Sequence, residues 1–466
     1  MLFKDALNQV EGFRYLLEWI TPQSEAGRKR LYGLSFMTDA GELEAEYQKI
    51  EQVMGAIWPD YTMDIEDVEH FELHRLKDIG GTLDRLKAGE VLGDIELFEI
   101  KEFALLSLEI RQLMVEKGLS VFRLADLAEV VDILDPERLR MPYFYIYDNY
   151  LPELAEVRAD MQREKDEKVL EGLRVWEMKL EDEVRERLAG ELKGYARELS
   201  ETLDKLAHLD LLVAKVEFAR YNFLARPVIR KSKIVYEELT NIELWHRLGV
   251  IEGKGFQPVD VEVEPWATVV TGANMAGKSV LLKSLEIAQY LAQFGFFIPA
   301  VGDIVLVDEV ITCIGDGQNR QEGLSSFGAE MMKINRMIQV VKEGKKVLVL
   351  IDEPARTTNP VEGKAIVNAL VDFLSKHKVL SVVTTHYSGL SARSRRLRVK
   401  GLVDDTELPG NVMNIADVRQ RMDYSLIEDA GNDVPHEALR VAELLGVDAD
   451  LLKKARKYLE KEMGTN

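Results

Sequence analysis

Residues 267–279 read Ala267-Thr268-Val269-Val270-Thr271-Gly272-Ala273-Asn274-Met275-Ala276-Gly277-Lys278-Ser279, and the fold turns on them. The β-branched run predicts a buried strand over 267–271. The pattern SVLLKSLEIAQYLAQF from Ser279 onward predicts a helix. Between them, Gly272 to Ser279 satisfies G-x-x-x-x-G-K-[ST]. Glycines at both ends let successive backbone N–H groups turn inward around phosphate oxygens, and the helix N-terminus adds its positive dipole. Gly272, Asn274, Met275, Ala276 and Gly277 are thus candidate phosphate-cradling positions. Lys278 is placed to reach terminal phosphates and Ser279 to ligate Mg²⁺.

Two further apolar runs, KVLVLIDE (346–353) and VLSVVTTH (379–386), are separated from the first by helical patterns. That alternation predicts an α/β layer with buried, mostly parallel strands. Adjacent residues at a strand end point opposite ways. Asp352 is therefore the candidate metal ligand, and Glu353 the residue that orients or deprotonates an attacking water. His386 ends the third run and is the candidate contact for a γ-phosphate. In the segment Leu324-Ser325-Ser326-Phe327-Gly328-Ala329-Glu330-Met331, Ser325 or Ser326 caps a helix, and the exposed hydroxyls there suit an anion.

The rest of the chain bounds the reading. Its 466 residues carry a formal charge of −21, of which −17 falls on residues 1–250 and −4 on 251–466. That acidity argues against indiscriminate nucleic-acid binding. The single cysteine, Cys313, excludes a disulfide framework and a multi-cysteine zinc site. No secretory signal opens the sequence and no apolar run is long enough to span a membrane, so a cytoplasmic protein is expected. Residues 1–58 and 66–130 read as helical. The tract PYFYIYDNYLP (142–152) reads either as a binding surface or as a strand or turn packed on helices. No proline interrupts 153–226, where Val184, Leu188, Leu192, Tyr195, Leu199, Leu203 and Leu206 form a stripe for one partner helix. A long antiparallel helical arm is expected there. Arg393, Arg395, Arg396, Arg398 and Lys400 form one basic cluster, read either as a phosphate contact or as a charged edge strand.

Together these elements resemble the ATPase domain of the MutS family, within the ABC-type P-loop NTPases. TGANMAGKS (271–279) is similar to the family's TGPNMGGKS, SSFGAEM (325–331) to its S-T-F-x-x-E-M segment, TTHY (384–387) to its TTHY, and LAQFGFFIPA (291–300) to MAQIGSFVPA. The resemblance implies ATP and Mg²⁺ as ligands, Ser325 acting on the ATP of a partner copy, and a homodimer. It also makes Phe256 the candidate adenine-stacking residue. The stretch 437–461 resembles the helical element that dimerises the family's ATPase core. Residues 21–53 and 209–227 resemble its core or lever helices. PARTTNPVEG (354–363) resembles the second bacterial MutS-type family more than the mismatch-repair form, and no mismatch-reading wedge is found.

The expected architecture is an α/β P-loop (ABC-type) ATPase domain with a preceding all-α lever and arm domain. Residues 1–150 form the helical core or lever, 151–230 the arm, 231–420 the ATPase and 421–466 the dimerisation element. The expected function is a homodimeric ATP-driven switch acting on DNA without mismatch reading. The alternative is remodelling of a protein client, such as a cobalamin-dependent aminomutase, by a reactivating chaperone.

Overall fold

A computed structural model describes residues 1–58, 71–251, 255–273, 275–314, 326–387, 389–403, 415–429 and 438–463. The chain groups into two compact units. Met1–Trp19, Ser35–Tyr47 and Phe218–Asn466 make up one, and Ile20–Leu34 with Gln48–Glu217 the other. No helix of the described residues is long and apolar enough to cross a membrane.

The second unit is helical, with no strand among its described residues. Val184, Leu188, Leu192, Leu199 and Leu206 are all buried. Their stripe continues from helix Glu167–Leu192 through the 3₁₀ turn Lys193–Tyr195 into helix Ala196–Tyr221. The chain reverses earlier, inside the segment 162–168 that is polar on every side. Glu164 accepts the N–H groups of Lys165 and Asp166 at 2.7 and 2.8 Å, and Asp166 caps the next helix at Lys168 N. The outgoing limb is the 12-residue helix Pro152–Arg163. Arg158 clamps it with bonds to Glu177 and Glu181 at 2.8 and 2.9 Å.

The aromatic tract is a packed turn without a strand. Phe144, Ile146 and Tyr147 are buried, while Tyr143 and Tyr145 face solvent. Lys101, itself buried, donates to the Met141 and Tyr143 carbonyls at 2.8 and 3.3 Å, and Tyr147 donates to Asp135 at 2.5 Å. Inside the same unit, buried Asp210 accepts Gln23 N, Ser24 N and Ser24 Oγ at 2.9, 2.8 and 2.5 Å. This fixes Ser24 as the N-cap of helix Glu25–Tyr32.

The first unit is mixed α/β, built on two mixed sheets. Its strands are β1 (Val228–Arg230), β2 (Ile234–Leu239), β3 (Val259–Val263), β4 (Ala267–Thr271), β5 (Val301–Val305), β6 (Glu309–Cys313), β7 (Val347–Ile351), β8 (Leu380–Thr384), β9 (Arg395–Leu402) and β10 (Met422–Glu428). The smaller sheet has order β1-β5-β2-β3 and the larger β10-β9-β4-β8-β7-β6. In the larger sheet β9, β4, β8, β7 and β6 run parallel, and β10 returns antiparallel. Every residue of β4, β7 and β8 is buried, as continuous β-branched runs demand. One core joins Val269, Val349 and Ile351 to Met337 of helix Ser326–Lys342 and to Val367 and Leu374 of helix Pro360–Lys376.

The basic cluster does not lie on an edge strand. β9 is interior, with β4 on one side and β10 on the other. Two of its cations pair with acids of neighbouring strands. Arg395 meets Glu428 at 2.7 Å and Glu262 at 3.5 Å, and Lys400 meets Asp423 at 2.7 Å. Hydrogen bonds from Lys400 first, then from Ser425 and Gln257, hold the Asp423 carboxyl well below the usual carboxylate range.

The start of the chain packs on the far end of the helix Lys278–Gln293 that follows the glycine loop. Phe3 meets Phe294 and Phe13 at ring distances of 5.3 and 5.2 Å, and Phe36 meets Phe294 at 5.7 Å. Met37 N donates to Gln293 O at 2.7 Å, and Tyr47 Oη donates to Ala292 O at 2.9 Å.

Candidate functional site

The strand order sets the site. β8 lies between β4, which delivers the glycine loop, and β7, which delivers Asp352 and Glu353. All three run parallel, so their C-terminal ends converge where α/β sheets place ligands. Thr385 N donates to Val270 O at 3.1 Å and Asp352 N to Cys313 O at 2.9 Å, extending the sheet pairing to the site.

The loop residues adopt the backbone that the motif requires. Met275 and Gly277 have φ of 73° and 77°. A Cβ on Gly277 would also stand 3.0 Å from Cδ1 of Tyr424, a tight approach added to the conformational preference for glycine. Lys278 is 5% exposed and its Nζ donates to the Gly272 and Ala273 carbonyls at 2.8 and 3.0 Å. The same Nζ lies 3.3 Å from Glu353 Oε1. Ser279 Oγ donates to Asp352 Oδ2 at 2.5 Å.

Thr384 completes this arrangement, a role that sequence reasoning did not assign. Its hydroxyl donates to Asp352 Oδ1 at 2.6 Å and accepts Glu353 N at 3.0 Å, so one side chain orients both acids. The signal was present in the strand alternation, because Thr384 is the last residue of the strand between loop and acids. Glu353 itself sits at φ 45° and also pairs with Arg356 at 3.7 Å. His386 follows β8, exposed, with its ring 4.5 Å from that of Tyr387.

Ser279 is thus in contact with Asp352 and Lys278 with Glu353, at the end of a loop that contains Gly272, Met275, Ala276 and Gly277. Asn274 and Ser325 lie outside the described residues. Phe256 is half-buried next to Gln257, which hydrogen-bonds Asp423, Ser425 and the Tyr424 N–H at 3.0–3.2 Å. The ring set against the loop is that of Tyr424, on β10, and no local pattern links it to residues 272–279.

The donors fit a hard cation: one hydroxyl and one carboxylate side by side suit Mg²⁺, which takes oxygen ligands and keeps several waters. No cluster of three or more His, Cys, Asp or Glu able to hold a metal occurs among the described residues. A site completed by phosphate oxygens does not need one.

This geometry defines a mixed α/β protein with a helical N-terminal part and a glycine-loop site at the ends of parallel strands. The sequence model described as MutS domain V matches residues 268–462, a span that holds the loop, both acids and His386. Residues 268–462 are the part of the chain that this match ties to the MutS family. It is 32% identical to the endonuclease MutS2 of Ligilactobacillus salivarius over 209 residues, covering 44% of this chain and 26% of that protein. It is 29% identical to the endonuclease MutS2 of Caldanaerobacter subterraneus over 297 residues, covering 62% and 35%. With the DNA mismatch repair protein MutS of Methanosarcina barkeri it shares 33% identity over 230 residues, covering 47% and 25%. The chain therefore spans between a quarter and about a third of these relatives' length.

Proposed function

We propose that this chain is a Mg²⁺-dependent P-loop ATPase of the ABC type that works as a homodimer on DNA without reading mismatches. The observation that carries the reading is the pairing of two distant stretches of sequence, Ser279 with Asp352 at 2.5 Å and Lys278 with Glu353 at 3.3 Å. The backbone amides of the glycine loop and Lys278 would bind the phosphates. Mg²⁺, held by Ser279 and Asp352, would neutralise charge on phosphate oxygens. Glu353 would orient a water against the γ-phosphorus and take its proton as the bond to the departing ADP oxygen breaks. His386 would contact the γ-phosphate, and Ser325 of each copy would serve the ATP of the other. Phe256 would stack on the adenine, and Tyr424, close to Gly277, would flank the nucleotide.

In this reading residues 1–230 are the lever and arm, 231–420 the ATPase and 421–466 the dimerisation element, in a cytoplasmic protein. The names of the relatives, a MutS2 endonuclease and a DNA mismatch repair protein, support DNA as the client. The test is the ATPase rate of the full chain with duplex and branched DNA over a salt series. Stimulation that weakens steeply as salt rises is expected, since phosphate contacts release counterions. Absence of DNA stimulation, with salt-insensitive stimulation by a co-purifying protein, would replace the DNA role with remodelling of that protein.

A further inference from the structure

Glu353 and Ala355 both have left-handed backbone, at φ 45° and 60°. Neither is glycine, and each such residue is held there only when its surroundings over-determine it. Three ties do so. Thr384 holds Glu353 N through its carbonyl and hydroxyl oxygens at 3.2 and 3.0 Å. Tyr387 Oη donates to Ala355 O at 3.1 Å. The third tie comes from a different element: Glu330 Oε1 accepts Ala355 N at 3.0 Å.

Glu330 lies in the second turn of helix Ser326–Lys342, which begins directly after Ser325. Burial raises its carboxyl above the ordinary range, while the Ala355 N–H and Arg356 pull the other way. Arg356 thus faces two carboxylates, Glu330 and Glu353. There is also little room for the turn to relax. Ala355 is fully buried, and a Cβ on Gly363 would lie 2.2 Å from Tyr387 Oη and 3.0 Å from Ala355 O.

We propose that Glu330 is a positioning residue: by accepting the Ala355 N–H it fixes the 353–355 turn that aims the Glu353 carboxylate, and so couples the helix after Ser325 to the hydrolytic centre. The coupling to hydrolysis rests on the ATPase reading above; the fixing of the turn does not.

The experiment compares the full-length protein with Glu330→Ala, Glu330→Asp and Glu330→Gln. Two readouts are used: amide hydrogen exchange of the 352–358 segment, and steady-state kcat and KM for MgATP alongside MgADP affinity. Alanine has no acceptor and aspartate falls one methylene short. Both are expected to speed exchange in 352–358 and to lower kcat at least about tenfold, with KM and MgADP affinity within about threefold. Glutamine offers a carboxamide oxygen to the same N–H and is expected to restore both. Unchanged exchange in Ala and Asp, or a Gln variant as slow as Ala, would overturn the proposal. If the wild-type protein proved not to hydrolyse ATP, the ATPase reading would fail, and the exchange arm would still decide whether Glu330 fixes the turn. Should the alanine variant not fold, Glu330→Asp carries the same comparison.

Discussion

Glu353→Gln is expected to lower ATP turnover at least about 100-fold while leaving nucleotide affinity within a few-fold, because a positioned general base contributes about 10²–10⁴ in rate. The geometry separates the two effects. Phosphate binding is assigned to the loop amides and Lys278, and Lys278 Nζ is held by two carbonyls of the loop as well as by Glu353. Losing the carboxylate removes one partner of that amine and leaves the other two. The Asp352 and Ser279 pair keeps its own support from Thr384. Glutamine keeps the volume and the backbone bonds of Glu353 N, so the turn itself stays in place. Steady-state turnover and equilibrium binding of MgATP measure the two quantities. Loss of binding in step with turnover would sink the role given to Glu353, and so would unchanged turnover.

Phe294→Ala should destabilise the α/β unit by about 3–5 kcal/mol, the range for truncating a buried Phe in a packed core. Phe294 is 0% exposed and lies among Phe3, Phe13, Phe36 and Tyr290, at ring distances of 5.3, 6.1, 5.7 and 6.2 Å. Its removal would leave a cavity faced by four rings that belong to three separate stretches of chain. Urea unfolding followed by tryptophan fluorescence gives the shift, and a loss below about 1 kcal/mol would contradict the packing described.

What could be read beforehand follows from how local each signal is. β4, β7 and β8 announce themselves because strands buried on both faces are predominantly apolar, with the few polar residues short and β-branched or small. The glycine loop is legible because a phosphate cradle needs particular residues at fixed spacing, and Asp352 and Glu353 because they end such a strand. The packing of Phe3, Phe13 and Phe36 on the end of helix Lys278–Gln293 is not legible. Phe3 and Phe294 lie 291 positions apart, and nothing near either names the other. The basic run 393–400 shows the same limit. Its arginines and lysine look free in sequence, and only the strand order brings Glu262, Asp423 and Glu428 beside them. Tyr424 is missed for that reason too, since it reaches Gly277 only through the return of β10. In the arm, the stripe from Val184 to Leu206 read correctly as a buried face. The reversal at 164–166 depends on the acceptors Glu164 and Asp166, which a wholly polar segment does not single out.

The most direct test of the central claim is equilibrium binding of MgATP to the wild-type chain and to Lys278→Ala. Lys278 is 5% exposed, and its amine lies inside the loop against the Gly272 and Ala273 carbonyls. Saturable, Mg²⁺-dependent binding by the wild type is predicted, weakened at least about tenfold in the variant by loss of a charge-assisted contact. Equal affinity in the two proteins, or no binding by the wild type, would contradict the account.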